Sequence, residues 1–358
     1  MNSYRILGIM SGTSMDGIDI ADVSFSKGIG ETWEHVVHQT ETIAYPIDLE
    51  NELRKSIHQS SQDLCILDKR LGLFFGTKIN EFIDKNGLDK AKIDAIASHG
   101  HTIFHQPERG FTLQIGCGTS IALKTRIQVI NDFRTKDVLA GGQGAPLVPI
   151  GDSLLFSTFA DAFLNLGGFS NVCILSDPIL AFDISPGNLP LNDLMLEHFQ
   201  LPYDQNGGIA RSGEVIPKLI KALNALDYYN QPPPKSLGTE WINAQFSPII
   251  NQFSAHSASD LLHTITLHIA LQISKTLNNG QVKKVLITGG GGKNAFLIES
   301  IQSHFRGKII LPELELIDFK EAIIFGFLGA LYLDDQVNTI ASVTGAKHAV
   351  KGGVLHTP

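Results

Sequence analysis

The stretch of small, hydroxyl-bearing and acidic residues at 8–19, GIMSGTSMDGID, has the composition of a phosphate-binding turn. An apolar run leads into it and an alternating run leaves it, which predicts a β-hairpin. Backbone N–H groups and hydroxyls at a tip with small side chains suit phosphate oxygens. Asp16 and Asp19 would add carboxylates that hold Mg²⁺ directly or through water. A plain hairpin turn explains the same residues equally well, because Gly and Ser favour turns.

Two further glycine-rich turns follow strand-like apolar runs, at 167–168 and at 289–292. The second does not fit a P-loop, which needs Gly at position 287 and Ser or Thr at 294, where the chain has Ile287 and Asn294. It does not fit the dinucleotide fingerprint either, for which position 294 would be glycine. A strand, a polyglycine loop and a helix capped by Asn294 remain, and such a backbone can lie flat against an anionic or planar ligand. Ligand contact is favoured over a purely structural turn.

The histidines at 99, 101 and 105 have a spacing that a metal site could use. A zinc site would also need another nearby ligand and supporting hydrogen bonds, and neither is evident in the sequence. Hydrogen bonding of a substrate by His101 and Thr102 is the favoured interpretation.

The composition narrows the class of protein. The 358 residues carry a formal net charge of −8, without the basic footprint of a nucleic-acid-binding protein. There is no apolar run of about 18 residues and no pattern of a secretion signal. Cys65, Cys117 and Cys173 are far apart, with no CxxC spacing. We therefore expect a cytoplasmic globular protein with reduced thiols and no nucleic-acid or membrane partner.

Strands and helices alternate along the chain. Helical spacing of apolar residues predicts helices at 51–60, 64–85, 120–125, 192–200, 215–226, 259–277, 294–303 and 319–333. Short apolar runs predict strands at 93–98, 111–115, 127–130, 162–166, 172–175 and 282–288. The hairpin around 167–171 is similar to that at 8–19, which predicts an internally duplicated α/β fold. We place the boundary near the glycine-rich loop at 140–146, giving domains 1–140 and 141–358, and allow the last helix to pack back on the first domain.

A set of motifs, in order along the chain, resembles the anhydro-N-acetylmuramic acid kinase family of the actin, Hsp70 and sugar-kinase superfamily. The motifs are GIMSGTSMDGID at 8–19, DFR at 132–134, AGGQGAPLVP at 140–149, NLGGFSN at 165–171, FDISPGN at 182–188, PPKS at 233–236, GGGGKN at 289–294, EA at 321–322 and TGA at 344–346. The resemblance runs nearly end to end. It implies two actin-like (ribonuclease H-like) domains with a nucleotide cleft between them.

The resemblance also implies an activity. Members of the family convert 1,6-anhydro-N-acetylmuramic acid, ATP and water to N-acetylmuramic acid 6-phosphate and ADP, in peptidoglycan recycling. The base of their Asp-x-x-Pro-Gly-Asn motif falls on Asp183, which would take a proton from the attacking water. The rigid Pro186-Gly187 turn that follows suits such a position. Without the resemblance, an Asp that only bonds the backbone of its own turn would be the simpler interpretation.

ATP and Mg²⁺ are the cofactors that the resemblance implies, and a homodimer is the implied assembly. The residues expected to bind ATP are those of the glycine-rich turns, namely Gly12, Thr13, Ser14, Met15, Asp16, Gly17, Ile18, Asp19, Gly167, Gly168, Gly289, Gly290, Gly291 and Asn294. No metal ligand is assigned beyond Asp16 and Asp19, acting through water.

The anhydro-amino-sugar is expected to contact His101, Thr102, Asp132, Arg134 and Glu321. Arg134 could hold the lactyl carboxylate in a fork, and an internal Asp132–Arg134 pair is an equal alternative. Glu321 would orient a sugar hydroxyl, or simply favour the N-terminus of its helix. Lys235 would contact the substrate or close over it, although a solvated loop lysine is the default.

The chain departs from the common form of the catalytic motif, Asp-Thr-Gly-Pro-Gly-Asn. Ile184 and Ser185 stand where the family often has Thr and Gly, while Asp183 and the Pro-Gly-Asn end are kept. Because Ser185 removes a glycine close to the base, we expect an altered rate or substrate fit rather than loss of activity.

Three alternatives remain open. An ordinary sugar 6-kinase would use Asp183 to deprotonate a free hydroxyl. A nucleotide-responsive binding protein of the same fold would keep its effect without Asp183. A glycosidase would open the anhydro bond without phosphorylation, and would need two suitably spaced carboxylates, which the sequence does not identify.

Overall fold

The computed structural model of the chain describes residues 2–12, 17–28 and 32–358, with residues 314 and 315 described by their backbone alone. The chain forms two compact units. The first unit comprises Met1–Leu155 and Phe319–Pro358, and the second comprises Phe156–Asp318.

The first stretch of the first unit ends at Leu155, beyond the boundary expected at residue 140, and the unit also includes the C-terminal stretch Phe319–Pro358. Gly151 packs so closely on Ile324 that a Cβ would collide with the isoleucine side chain. Nearby, Lys320 Nζ lies 2.6 Å from Asp152 Oδ1, and both side chains are almost fully buried. These contacts between residues far apart in sequence join the two stretches into one unit.

The secondary structure alternates between strands and helices. The strands are β1 Ser3–Met10, β2 Gly17–Lys27, β3 Trp33–Ala44, β4 Ala95–Ser98, β5 His101–Gln106, β6 Phe111–Ile115, β7 Val129–Asn131, β8 Ala162–Leu166, β9 Phe169–Ile174, β10 Leu180–Pro186, β11 Lys284–Thr288, β12 Lys308–Ile310 and β13 Val354–His356. The helices are α1 Ile47–Lys55, α2 Ser61–Lys85, α3 Gly118–Thr125, α4 Thr135–Leu139, α5 Val148–Leu154, α6 Asn188–Phe199, α7 Gly208–Ser212, α8 Pro217–Asn224, α9 Thr239–Trp241, α10 Ser247–Asn251, α11 Ala258–Asn279, α12 Ala295–His304, α13 Leu314–Leu333 and α14 Ala341–Thr344.

The main sheet of the first unit has the strand order β13-β7-β4-β1-β2-β3. β2 runs antiparallel to both β1 and β3, whereas β4 pairs parallel with β1 and with β7. β13 closes the edge beyond β7 in antiparallel pairing. The predicted opening hairpin is therefore β1–β2, at the centre of this sheet.

The sheet of the second unit has the order β10-β9-β8-β11-β12. β9 runs antiparallel to β8 and β10, while β11 pairs parallel with β8 and β12. Apart from β13, both sheets thus have a leading hairpin, a third strand on its outer side and two parallel strands on the other. This is the ribonuclease H-like topology, and it confirms the predicted α/β fold of two actin-like domains.

Small residues allow α13 to pack on the sheet of the first unit. A Cβ on Gly8 of β1 would collide with the Ala322 carbonyl, and one on Gly329 would crowd Ala97 of β4. Side chains of α13 between these points, such as Phe325 and Leu328, are almost completely buried. On α2, the predicted apolar face is buried in the same unit's core, and Ser60 caps the helix by accepting the Asp63 N–H at 3.1 Å.

Helix α11 is the central helix of the second unit's core. Ser257 caps it by accepting the Asp260 N–H at 3.1 Å. Its side chains Ile265, Ile269 and Ile273 are fully buried against apolar residues of the sheet. Among the described residues, none of the helices has the length and apolar character needed to span a bilayer.

Candidate active site

Asp183, the predicted base, lies on β10 where the pairing with β9 is interrupted by a bulge before Ser185. β10 is the edge strand of its sheet, so groups on its open side need partners from elsewhere. The backbone N–H of Leu237 donates to Asp183 Oδ2 at 2.8 Å. Burial raises the pKa of the half-buried Asp183 carboxyl, and the Leu237 N–H opposes that rise. A carboxylate with a raised pKa and one fixed oxygen is suited to general-base catalysis.

The two residues that depart from the family motif are both buried. Ile184 belongs to the apolar core of the second unit. The Ser185 hydroxyl lies 2.8 Å from that of Ser170 on β9, and the Ser185 N–H donates to Ser170 Oγ at 3.2 Å. The serine that replaces glycine therefore adds a buried cross-strand hydrogen bond close to Asp183.

The turn at Gly167 and Gly168 is hydrogen bonded to the end of the catalytic motif. The Gly187 N–H donates to the Gly168 carbonyl at 2.8 Å, and the Asn188 N–H donates to the Gly167 carbonyl at 2.9 Å. A Cβ on Gly187 would collide with the Gly167 carbonyl, so a glycine is needed at this close approach. These bonds join the β8–β9 turn to the start of α6.

The polyglycine loop lies at the same end of the sheet as the β8–β9 turn, because β11 pairs parallel with β8 up to Thr288 and Asn165. Gly289 has a φ of 82°, in the left-handed region that favours glycine. Gly291 packs on Leu166, and a Cβ there would crowd the leucine side chain. Gly290, in contrast, has open space where a Cβ would be. The glycines thus serve two purposes, close packing at 289 and 291 and an open surface at 290.

Asn294 is the N-cap of α12, as predicted, and its side chain accepts the Leu297 N–H at 3.0 Å. A cavity of about 510 Å³ lies beside it within the second unit. Charged, amide and apolar groups line this cavity, among them those of Asn188, Leu191, Asp204, Gly290, Lys293 and Asn294. Its size and mixed lining are typical of a small-molecule site.

The opening hairpin is described only in part. Thr13, Ser14, Met15 and Asp16 lie outside the described residues. Gly12 is half-buried before that gap. After it, Gly17 packs against the Ile43 carbonyl with no room for a Cβ, and Ile18 is fully buried. Asp19 Oδ1 accepts the Thr42 hydroxyl at 2.6 Å.

The predicted sugar ligand His101 is buried and bonded within the first unit. Its Nδ1 lies 3.0 Å from Ser11 Oγ, which in turn lies 2.7 Å from the Tyr45 hydroxyl. Burial lowers the pKa of His101, so its ring is neutral at neutral pH. Thr102 Oγ1 accepts the Gln114 side-chain amide at 3.2 Å.

Arg134 bonds His99 and Gly144 rather than Asp132. Its Nε and Nη2 both lie about 3 Å from His99 Nε2, at 3.0 and 2.9 Å, and its Nη1 donates to the Gly144 carbonyl at 2.7 Å. The structure thus does not show the Asp132–Arg134 pair that the sequence left open. Burial lowers the pKa of Arg134 to about 10, so the guanidinium stays charged at neutral pH. Asp132 has a φ of 58° and accepts the Thr135 N–H at 3.3 Å.

Glu321 lies on α13 and keeps contact with solvent. Desolvation by surrounding groups raises the pKa of its carboxyl, while the charges of Arg134 and Lys320 lower it and that of Asp19 raises it. Arg134, Asp19 and Glu321 therefore lie close enough to interact electrostatically. Within residues 2–12, 17–28 and 32–358, no group of three His, Cys, Asp or Glu side chains is arranged to hold a metal ion.

Two motifs of unknown role, at 140–149 and at 344–346, meet around the buried side chain of Asp137. Asp137 Oδ2 accepts the Gly144 N–H at 2.8 Å, and Oδ1 accepts the Thr344 hydroxyl at 2.8 Å. Because Gly144 also accepts from Arg134, Asp137 fixes the loop that positions the guanidinium. Asp137 was not predicted from the sequence, although its position just after DFR was the available signal.

The structure brings the predicted residues together in two groups. In the second unit, the turn at 167–168, the end of the catalytic motif and the loop at 289–292 meet at one end of the sheet. In the first unit, Asp19, Arg134 and Glu321 are neighbours. Tyr228 and Leu237, which contact Asp183, were missed because only the PPKS motif between them gave any signal.

Two units of ribonuclease H-like topology, one of them with glycine turns and a half-buried carboxylate, define an actin-like α/β protein. The model of the anhydro-N-acetylmuramic acid kinase family matches residues 4–358. The chain belongs to this family.

Relatives and a solved structure accompany this match. The anhydro-N-acetylmuramic acid kinase of Francisella tularensis subsp. novicida is 36% identical over 380 residues, covering 99% of this chain and 100% of the relative. That of Sulfurovum sp. is 34% identical over 368 residues, covering 99% of each. Among solved structures, the activator of the 2-hydroxyisocaproyl-CoA dehydratase from Clostridium difficile, with bound ADPNP, has a TM-score of 0.44 at 13% identity, covering 92% of this chain and 97% of that one.

Proposed function

We propose that the protein is an ATP-dependent kinase that opens 1,6-anhydro-N-acetylmuramic acid with water and phosphorylates O6. Family membership supports the substrate class. The observation that carries the proposal is the position of Asp183. Its Oδ2 is held by the Leu237 N–H, and no described residue hydrogen bonds to its Oδ1, which is left to accept a proton.

Apart from the transfer of a proton from water to Asp183, the reaction forms two bonds and breaks two. Asp183 takes a proton from water as the water oxygen attacks C1 of the sugar, and the C1–O6 bond breaks. O6 then attacks the γ-phosphorus of ATP, and ADP leaves. The raised pKa of Asp183 makes its carboxylate a stronger base than an exposed aspartate. The products are N-acetylmuramic acid 6-phosphate and ADP. This reaction is a step of peptidoglycan recycling.

In this proposal, the second unit binds ATP through Gly167, Gly168, Gly289, Gly290, Gly291 and Asn294. The open surface at Gly290 and the adjoining cavity of about 510 Å³ support a nucleotide there. Gly12, Thr13, Ser14, Met15, Asp16, Gly17, Ile18 and Asp19 would complete the phosphate contacts. The expected nucleotide cleft between the domains stays a prediction.

Mg²⁺ would supply neutralisation of the triphosphate charge. The oxygen ligands that Mg²⁺ prefers are present in Asp19, whose carboxylate raises the pKa of the nearby Glu321 by repulsion. A cation would relieve the repulsion between Asp19 and Glu321, so these residues fit a Mg²⁺ ion. Asp19 would hold the ion, directly or through water.

Arg134 is the strongest of the proposed sugar ligands. Its three hydrogen bonds leave two of its five N–H groups for a carboxylate such as the lactyl group, and Glu321 is exposed beside it to accept a sugar hydroxyl. His101, Thr102 and Asp132 remain proposed contacts. The homodimer and the cytoplasmic location also remain proposals.

Incubation with the purified anhydro-sugar, ATP and Mg²⁺ in H₂¹⁸O tests the function. We expect the 6-phosphate as product, with the label on C1. The Asp183→Asn variant should lose turnover by at least about 10²-fold while still binding ATP, because only the base is removed. An ordinary sugar 6-kinase would incorporate no label in this step. Product formation without ATP would indicate a glycosidase, and no product under conditions where ATP binds would refute the proposal.

A further inference from the structure

One segment outside the sheet makes three hydrogen bonds to Asp183. We call residues 228–237 the strap. The Tyr228 hydroxyl donates to the Asp183 carbonyl at 2.6 Å, the Asp183 N–H donates to the Lys235 carbonyl at 3.1 Å, and the Leu237 N–H donates to Asp183 Oδ2 at 2.8 Å. Both backbone groups and one carboxylate oxygen of the proposed base are thus engaged by the strap.

These hydrogen bonds provide partners for backbone groups of Asp183 that the strand pairing of the sheet leaves without one. β10 is an edge strand, and its pairing with β9 shifts register immediately after Asp183. A residue at an edge and beside a bulge has backbone groups without ladder partners, and bulges re-aim side chains. The orientation of Asp183 is therefore determined by the strap as well as by the sheet.

Lys235 holds the two ends of the strap together. Its Nζ donates to the Tyr228 carbonyl at 2.9 Å and lies 4.4 Å from the centre of the Tyr228 ring. The ring also packs on Trp241 at a centroid distance of 5.4 Å. The lysine thus bonds within the protein instead of being a solvated loop residue.

The adjacent Tyr229 has a different partner. Because His268 Nδ1 donates to Asn224 Oδ1 at 2.7 Å, His268 Nε2 is the acceptor for the Tyr229 hydroxyl at 2.8 Å. Two neighbouring tyrosines in one short 3-10 turn, Asp227–Asn230, therefore donate to different targets. Only Tyr228 bonds Asp183.

We propose that the strap is a positioning device for the base, in which the Tyr228 hydroxyl and the Lys235 ammonium hold Asp183 in the geometry needed to deprotonate water. The inference rests on the proposed function of Asp183. It assigns to Tyr228 and Lys235 an effect on the chemical step and none on the affinity for ATP or sugar.

The test compares Tyr228→Phe with Tyr229→Phe, since both remove one buried hydroxyl from the same turn. We expect Tyr228→Phe to lower kcat about tenfold with unchanged KM for both substrates, because a loosened base is less often in the reactive geometry. Tyr229→Phe should lower the melting temperature and leave kcat unchanged. Lys235→Met should act in the same direction as Tyr228→Phe, with Lys235→Arg restoring most of the rate. The double variant Tyr228→Phe/Lys235→Met should be no slower than the slower single variant.

A second readout does not depend on turnover. Hydrogen exchange of the peptide covering 180–186 should accelerate in Tyr228→Phe and stay unchanged in Tyr229→Phe. Equal kcat values for the two tyrosine variants in an active protein would overturn the positioning role of the strap and leave the proposed function intact. If the wild type makes no product, the proposed function fails, and equal exchange in the two variants then overturns the strap as well.

Discussion

At the scale of single residues, the half-buried position of the Asp183 carboxyl and its hydrogen bond from the Leu237 N–H are suited to a general base. Burial raises its pKa and the Leu237 N–H lowers it, with burial the larger effect. The sequence alone favoured an aspartate bonded to its own turn. The bonds from 228–237 come from a distant part of the chain, and no local pattern could predict them.

The raised pKa of Asp183 predicts the acid limb of the activity profile. A general base works only when deprotonated, so kcat/KM should fall as the pH decreases through a pKa above the ordinary 3.8. The measurement is kcat/KM from about pH 3 to 8, with the melting temperature recorded at each pH to exclude unfolding. An acid limb at or below pH 3.8 in folded protein would contradict this assignment.

At the scale of elements, the glycines of one loop differ in purpose. The sequence predicted a strand, a polyglycine loop and a helix capped by Asn294, and the structure has all three. It could not separate glycines needed for packing from those that leave a surface open, because that depends on Leu166 from another strand.

This difference predicts opposite outcomes for two substitutions in the loop. Gly291→Ala should destabilise the protein by about 1–3 kcal/mol, since its Cβ would be forced against Leu166. Gly290→Ala has room for its Cβ and should keep the stability while raising the KM for ATP. Thermal unfolding and ATP kinetics on the pair check this. Equal ATP affinity in Gly290→Ala and wild type would argue against nucleotide contact at Gly290.

At the scale of the whole molecule, the hairpins at 8–19 and around 167–171 were sufficient to predict the duplicated fold, which the two strand orders confirm. The sequence allowed the last helix to pack back on the first domain, but the contacts that hold it there were harder to predict. They include close approaches such as Gly8 to Ala322, and small residues far apart in sequence carry no sign that they touch.

Stability in acid should depend on His268, whose pKa burial lowers to about 3. His268 binds a proton near pH 6.5 in the unfolded chain and near pH 3 in the folded protein. The folded state therefore loses stability as the pH falls below 6.5, and this contribution does not change above it. We expect the stability advantage of wild type over His268→Gln to shrink as the pH decreases from about 7 to 4. Trp241 fluorescence in a Trp33→Phe background would follow the second unit. A difference in the free energy of unfolding between wild type and His268→Gln that does not change with pH would contradict the prediction.

The division of the first unit into two stretches has a consequence for biosynthesis. The second unit, Phe156–Asp318, is continuous, so all of its residues are available once that stretch has left the ribosome. The first unit begins translation earlier but lacks α13 and β13 until the stretch Phe319–Pro358 has emerged. The unit that is begun first is therefore completed after the second, and the apolar face of β1 that α13 covers stays exposed, or is shielded by a chaperone, until α13 has been made.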